Sequence, residues 1–241
     1  MTAAIDTGMV LAAGLGKRMR PLTDTLPKPM VPVAGRALVD RVIDRMVEAG
    51  VGRVVANIHH HRATLESHLQ ARRDVPIVTV HEPELLETGG GVLNALPVLG
   101  PQAFFCANAD VLWFDGPTPA LRRLAGIWDD SRMDVLLLMQ SSAYARGYEG
   151  RGDYFLDPAG KARRRRGPEI ASFVYAGVQI LHPRALAGFA PGAFSLNKVY
   201  DAAEAKGRLW GVAHDGLWFH VGTPDSVIAT ERELGWSKPK A

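Results

Sequence analysis

The sequence predicts an α/β fold in which a mostly parallel central sheet carries helices on both faces. Three observations predict it. Short apolar runs alternate with amphipathic stretches over about the first 140 residues, and strands alternating with helices imply a parallel sheet. Those runs are continuously apolar, the pattern of strands buried on both faces. Finally, 47% hydrophobic against 22% charged residues in a chain of 241 is the balance of a globular protein, not of a disordered one.

The elements follow in order. Gly8 to Ala13 is the first apolar run, ended by Gly14. Val39, Val42, Ile43, Met46 and Val47 recur at helical spacing, with Asp40, Arg41, Asp44 and Arg45 on the opposite face, and Gly50 stops that helix. Arg53 to Ile58 reads as the next strand and Arg62 to Arg72 as the next helix. Ile77–Val80 and Phe104–Ala107 read as strands, with a short helix near Gly91 to Leu96 between them. Pro119 to Trp128 is helical and Val135 to Met139 a strand. Beyond Gln140 the pattern changes: Tyr154 to Lys161 is a hairpin turning at Asp157-Pro158-Ala159-Gly160, and Phe173 to Leu181 is a long strand. Leu196 to Lys206 is a helix, Leu217 to Val221 a strand, and Pro224 to Leu234 a closing helix with Thr223 as its cap. With no repeat and no linker, residues 1–241 read as one domain. About 1–140 form its first half and about 141–241 a substrate-side second half.

Open parallel sheets bind ligands beyond the carboxyl ends of their strands, so the loops after strands hold the chemistry. Directly after the first strand come Gly14 and Gly16, whose lack of side chains lets backbone N–H groups approach an anion. Lys17, Arg18, Arg20 and Lys28 add positive charge. A Walker A loop would need a glycine at Leu11 and Ser or Thr at Arg18. A dinucleotide fingerprint would need Gly or Ala at Met19. Neither is present.

The stretch over residues 9–33, with Gly14-Leu15-Gly16-Lys17-Arg18 followed by Pro21-Leu22-Thr23 and Pro27-Lys28-Pro29, resembles the signature of the sugar-1-phosphate nucleotidyltransferase family. The resemblance implies that family's Rossmann-like fold, with a nucleoside triphosphate and a sugar 1-phosphate as substrates, Mg²⁺ as cofactor, a nucleotide-binding half over about 1–140 and a sugar-binding half over about 141–241. It implies that Ala12, Ala13, Gly14, Gly16 and Lys17 lie at the nucleotide, that Arg18 reaches the β/γ-phosphates, and that Lys28 stabilises charge at the α-phosphate. Arg18 and Lys28 are then the catalytic cations, because such transfers depend on positioning and charge neutralisation. Leu86 to Gly91 matches the glycine-rich segment before a helix, with Thr88 and Gly89 at the base. Asn108-Ala109-Asp110 matches the metal site, with Asn108 at the nucleotide and Asp110 on Mg²⁺, which takes one or two carboxylates and completes its shell with phosphates and water.

The match breaks at one position. Where the family has Asp-Val-Gly-Thr, this chain has His220-Val221-Gly222-Thr223. Imidazole suits a hard cation poorly. His220 is therefore either a metal ligand through water, a phosphate contact, or no ligand at all, leaving Asp110 alone. In the second half, Asp153 is the carboxylate expected at the sugar, unless it only opens the hairpin. Asn197 is expected at the sugar phosphate, unless it only caps its helix. Within the family, Glu87 to Gly91, Gly150 to Tyr154, Tyr175 to Pro183 and Gly192 to Leu196 resemble short bacterial enzymes. That implies uridylyl transfer to a muramic sugar in cell-wall sugar recycling, with guanylyl transfer to mannose, or a nucleotide sensor without catalysis, as alternatives.

Other features exclude more than they suggest. Net charge is only +3, and Arg163-Arg164-Arg165-Arg166 lacks interleaved aromatics, so it reads as a solvated strand or loop and no nucleic-acid partner is expected. Trp210, Trp218 and Trp236 are too scattered for a base-stacking platform. His59-His60-His61 are adjacent and do not face one way, so a triple metal ligand is not expected, and a substrate contact by one of them stays open. Cys106, the lone cysteine, sits in an apolar run and reads as a small buried hydrophobe. No run spans a bilayer and residues 1–6 lack leader character, so a cytoplasmic protein without membrane association is expected, as a monomer or small homo-oligomer.

Overall fold

The structure is a computed structural model that describes residues 5–236; the N-terminal stretch read as lacking a leader begins outside them. The first half contains β1 (Thr7–Leu11), β2 (Pro32–Val33), β3 (Arg36–Ala37), α1 (Leu38–Glu48), β4 (Arg53–Ile58), α2 (Arg62–Gln70), β5 (Ile77–His81), α3 (Glu87–Leu99), β6 (Phe104–Asn108), β7 (Val111–Phe114) and α4 (Ala120–Ile127). The rest comprises β8 (Val135–Ser141), β9 (Tyr154–Leu156), β10 (Ala162–Arg164), β11 (Phe173–Leu181), α5 (Leu196–Ala205), β12 (Leu209–Ala213), β13 (Leu217–His220) and α6 (Pro224–Glu233).

Nine strands form the main sheet. β6, β1, β4 and β5 run parallel, as the alternation predicts, whereas β11 enters antiparallel between β6 and β8, and β12 adds parallel to β8. Both faces are covered. Val39, Val42, Ile43 and Met46 of α1, with Leu121 and Leu124 of α4, pack on one face beside Val10. Val92, Ala95 and Leu99 of α3, with Val199 and Tyr200 of α5, pack on the other beside Met9. A third, smaller cluster holds Met19, Val31, Leu112, Phe219 and Val227, and so seats the loop after β1 against α6.

Three features were not expected: the short β2–β3 hairpin, β7, and β12. The helix expected near Gly91 to Leu96 is instead α3, which begins at Glu87 and takes all three glycines inside. Glycine disfavours a helix interior, but here side chains would collide. A Cβ on Gly90 would lie 2.1 Å from the Gly192 carbonyl oxygen, and one on Gly91 2.6 Å from Glu82 Oε1. Thr223 caps α6 as expected, in a reciprocal capping box with Ser226.

Candidate active site

At the carboxyl edge of the sheet, three strands end in register: Leu11 pairs with Asn57 on one side and with Asn108 on the other. Such an edge is where an open parallel sheet holds its ligand. Asn57, 2% exposed, accepts the Ala12 N–H through Oδ1 at 2.9 Å and donates through Nδ2 to Glu82 Oε1 at 2.6 Å. Glu82, fully buried, also accepts the Leu86 N–H through Oε2 at 3.1 Å. One buried pair therefore fixes both the start of the loop after β1 and the entry to α3.

The loop folds back on the two proline segments that follow it. Gly16 adopts φ 62°, and a Cβ there would sit 2.8 Å from the Lys28 Cβ. The Thr23 hydroxyl, 2% exposed as a residue, donates to Gly16 O at 2.9 Å. Glycine at 16 and threonine at 23 thus let Pro27-Lys28-Pro29 lie against the loop, where Lys28 Nζ forms an ion pair with Asp110 Oδ2.

Two cavities meet at that pair. The first, about 230 Å³, runs from Ala12, Ala13 and Gly14 past Lys28 to Asn57, Glu82 and Thr88. The second, about 220 Å³, is lined by Arg18, Tyr148, Asp153, Tyr175, Trp218 and His220. Asn108 and Asp110 line both. Asp110 reaches the shared wall because it sits in the tight turn between β6 and β7.

β13 pairs antiparallel with β7 and sets His220 opposite Val111, next in sequence to Asp110. A Cβ on Gly222 would lie 2.8 Å from His220 Nε2 and 3.5 Å from Arg18 Nη1, so ring and guanidinium converge over that glycine. Burial, and then the Arg18 and Lys28 cations, push the His220 pKa below its ordinary value against the opposing charge of Asp110. The imidazole is therefore neutral at neutral pH. Trp218 anchors this corner, its indole N–H donating to Ala176 O at 3.0 Å. Ala176 lies where β11 shifts register against β8 between Tyr175 and Gln179, and such irregularities re-aim side chains beside active sites.

The other expected residues divide. Asp153 lines the second cavity and accepts the Tyr175 N–H at 3.0 Å, so its carboxylate is tied to β11 and does not serve as a turn cap. Thr88 lines the first cavity while its hydroxyl accepts the Leu196 N–H at 2.9 Å. Gly89 does not line it: it is buried, and its N–H donates to Phe194 O at 2.8 Å. Gly16 and Lys17 also lie off both cavities, Gly16 as a packing position and Lys17 exposed. Asn197 is not the helix cap; Ser195 is, and its hydroxyl accepts the Asn197 N–H at 3.2 Å. Asn197 lines a third cavity.

Cys106 is buried as expected, and burial pushes its thiol up to about 12. Of the three histidines, His59 hydrogen-bonds Glu82 O through Nδ1 at 2.8 Å, and none lines either cavity. Among the described residues no three His, Cys, Asp or Glu side chains are grouped to hold a metal, and no helix is long and apolar enough to cross a membrane. Sequence reasoning missed Asn57, Glu82 and Tyr148. The only signal for the first two was a polar residue at the end of an otherwise apolar strand and another just beyond the next.

Comparison with known proteins bears on this arrangement. The model of the family described as nucleotidyl transferase matches residues 7–148. The chain is 42% identical over 97% of its length, and 99% of the relative's, to N-acetylmuramate α-1-phosphate uridylyltransferase of Caulobacter vibrioides. It is 33% identical over 89% of its length, and 92% of the relative's, to the protein of the same name in Neisseria meningitidis serogroup B. Among solved structures, UDP-glucose pyrophosphorylase in complex with UDP-glucose superposes with a TM-score of 0.79 at 17% identity, covering 96% of this chain and 98% of that one.

Proposed function

The chain belongs to the nucleotidyl transferase family, and from that premise we propose that it condenses UTP with N-acetylmuramic acid α-1-phosphate, releasing pyrophosphate. The observation that carries the substrate assignment is the 42% identity over nearly the full length of both chains to a uridylyltransferase of that sugar. The geometry supports it, because two cavities sharing Asn108 and Asp110 suit two phosphate-bearing substrates that must meet. UTP occupies the first cavity, within the half formed by about residues 1–140, and the sugar phosphate occupies the second, walled largely by residues beyond 140.

The transfer is an in-line displacement. An oxygen of the sugar phosphate attacks the α-phosphorus. The new P–O bond forms as the bond to the bridging oxygen breaks, and pyrophosphate leaves with that electron pair. The attacking phosphate is already anionic, so no general base is required. Lys28, at the junction of the cavities, offsets charge on the α-phosphate, and Arg18 offsets charge on the departing pyrophosphate or on the incoming phosphate beside His220. The donor set on the shared wall is one carboxylate with a neutral imidazole near it. That set fits a Mg²⁺ that arrives with triphosphate oxygens rather than one held by the protein alone. Asp110 would hold it, and the ion would neutralise further charge on the phosphates. Its lone cysteine, reduced and buried, accords with a cytoplasmic enzyme.

Pyrophosphate release with UTP and GTP crossed against N-acetylmuramic acid, N-acetylglucosamine and mannose 1-phosphates tests the proposal. Highest kcat/KM for UTP with the muramic sugar is expected. Highest kcat/KM for GTP with mannose 1-phosphate would replace the substrate assignment, and no release with any pair would indicate a nucleotide sensor without catalysis.

A further inference from the structure

The four consecutive arginines are not equivalent. Arg163 pairs with Glu169, Arg164 with Asp201 and Arg166 with Glu204. Arg165 has no carboxylate partner among the described residues. Its Nε instead donates to Gly152 O and its Nη1 to Gly167 O, each at 2.8 Å. The turn that presents the first of these carbonyls requires glycine at 152. It adopts φ 72°, and a Cβ there would lie 2.2 Å from the Ala171 carbonyl oxygen. A half-buried guanidinium is thus held in one orientation by two neutral carbonyls, with no carboxylate at ion-pair distance among the described residues.

That guanidinium lines the third cavity, about 250 Å³, together with Asp153, Tyr175 and Asn197. Asp153 and Tyr175 also line the second, so the third cavity continues from the sugar end of the cleft, away from the phosphate junction. The Gly152 N–H that neighbours this contact donates to the Tyr148 hydroxyl at 3.1 Å, so the turn that holds Arg165 also touches a side chain of the second cavity. A sugar whose 1-phosphate lies at Asp110 presents its far hydroxyls to this side. Muramic acid differs from glucosamine in one respect, a lactyl ether that carries a carboxylate.

We propose that Arg165 is the residue that reads the lactyl carboxylate of the muramic substrate, accepting it in the third cavity beside Asn197 and so setting sugar specificity. The inference rests on the substrate assigned above. Arginine's planar fork matches a carboxylate, and a fork already immobilised by the protein loses little further freedom on binding. Asp153, whose carboxylate is tied to the Tyr175 N–H, serves sugar hydroxyls and adds no charge partner for Arg165.

The test compares Arg165→Met and Arg165→Lys with the wild type, using UTP and either N-acetylmuramic acid 1-phosphate or N-acetylglucosamine 1-phosphate. KM is measured for each sugar, or the inhibition constant where a sugar binds without turnover. Loosening the Gly152–Gly167 loop affects both sugars alike and cancels in their ratio. Arg165→Met is expected to raise the ratio of muramic to glucosamine KM about tenfold or more, as loss of one charge-assisted contact does, and Arg165→Lys to restore part of it. A wild-type enzyme that turns over the muramic sugar and a ratio unmoved in Arg165→Met overturn the role of Arg165 alone. A wild type that does not accept the muramic sugar overturns the substrate assignment and this inference with it.

Discussion

Lys28 is held at the junction of the two cavities by an ion pair with Asp110 while Gly16 lets its backbone approach the loop, and the proposed transfer makes it the side chain on which the chemistry turns. Removing a cation aimed at developing phosphate charge typically costs about 10²-fold or more. Lys28→Ala and Arg18→Ala are each expected to lower turnover by about that factor at saturating UTP, and near-wild-type turnover in both would remove the assignment of these cations. His220 poses a sharper question, since burial and the Arg18 and Lys28 charges keep its imidazole neutral. His220→Asp places an oxygen donor among those cations, and should tighten Mg²⁺ binding to the enzyme without nucleotide. Calorimetric titration checks this, and an unchanged affinity with an unchanged KM for the sugar phosphate leaves His220 a purely structural residue. The place of Arg18, Lys28 and Asp110 in the cleft was legible in the sequence because glycines and cations cluster in one short stretch and a carboxylate follows an apolar strand. Asn57, Glu82 and Tyr148 were not. Each is a lone polar or aromatic residue whose place in the cleft comes from strand register or loop closure, which a linear reading does not contain.

At the scale of elements, most strands and helices were readable, and the ones missed were β2, β3, β7 and β12. β4 and β11 match their expected limits because each has enough apolar and β-branched residues to be read through its interruptions, Asn57 in β4 and Gly177 with Gln179 in β11. β12 escaped because Gly211 sits at its centre, and β7 because it restarts after only a tight turn from β6. α3 was read too short because its first turn is glycine-rich, and packing decides there against propensity. Two glycines separate these effects. Ala at a helical glycine gains about 0.5–1 kcal/mol in propensity, whereas overpacking costs about 1–3 kcal/mol. At Gly126, in α4, an added Cβ meets nothing within 4 Å, so Gly126→Ala should be stabilising, by less than the full propensity gain because it lies near the helix end. At Gly90 it meets the Gly192 carbonyl at 2.1 Å, so overpacking prevails. Thermal unfolding should show a Tm about 1–2 °C higher for Gly126→Ala and about 3–6 °C lower for Gly90→Ala, at roughly 2–4 °C per kcal/mol for a chain of this size. A Tm for Gly90→Ala at or above wild type would mean that the contact between α3 and the Gly192 segment before α5 yields easily.

The whole molecule is tied together away from the cleft by Asp134, 4% exposed, at the start of β8. It accepts Arg184 Nε at 2.6 Å and Arg208 Nε at 2.8 Å, so the end of β11 and the start of β12 are pinned to one carboxylate. Burial alone would raise its pKa, but the hydrogen bonds from Arg208 and Arg184 outweigh burial and hold it below the ordinary carboxylate value. A depressed folded pKa contributes stability that is fully present above the unfolded value near 3.9 and is lost as pH falls through the folded value. Asp134→Asn should lower stability by about 2 kcal/mol at neutral pH, and the difference from wild type in urea unfolding should shrink below about pH 4. A difference independent of pH would assign the loss to packing, not charge. The cleft lies at the opposite, carboxyl ends of β1, β4 and β6, so this variant should keep its KM for UTP. The proposed division of labour across that cleft, nucleotide on one side of Asp110 and sugar phosphate on the other, is tested most directly by pyrophosphate release from UTP with N-acetylmuramic acid 1-phosphate, in wild type and in Asp110→Ala with its fold verified by circular dichroism. Release that requires both the sugar phosphate and Mg²⁺ in wild type, and is lost in Asp110→Ala, is the expected result. Release that proceeds without the sugar phosphate, or an unchanged rate and magnesium dependence in Asp110→Ala, would contradict it.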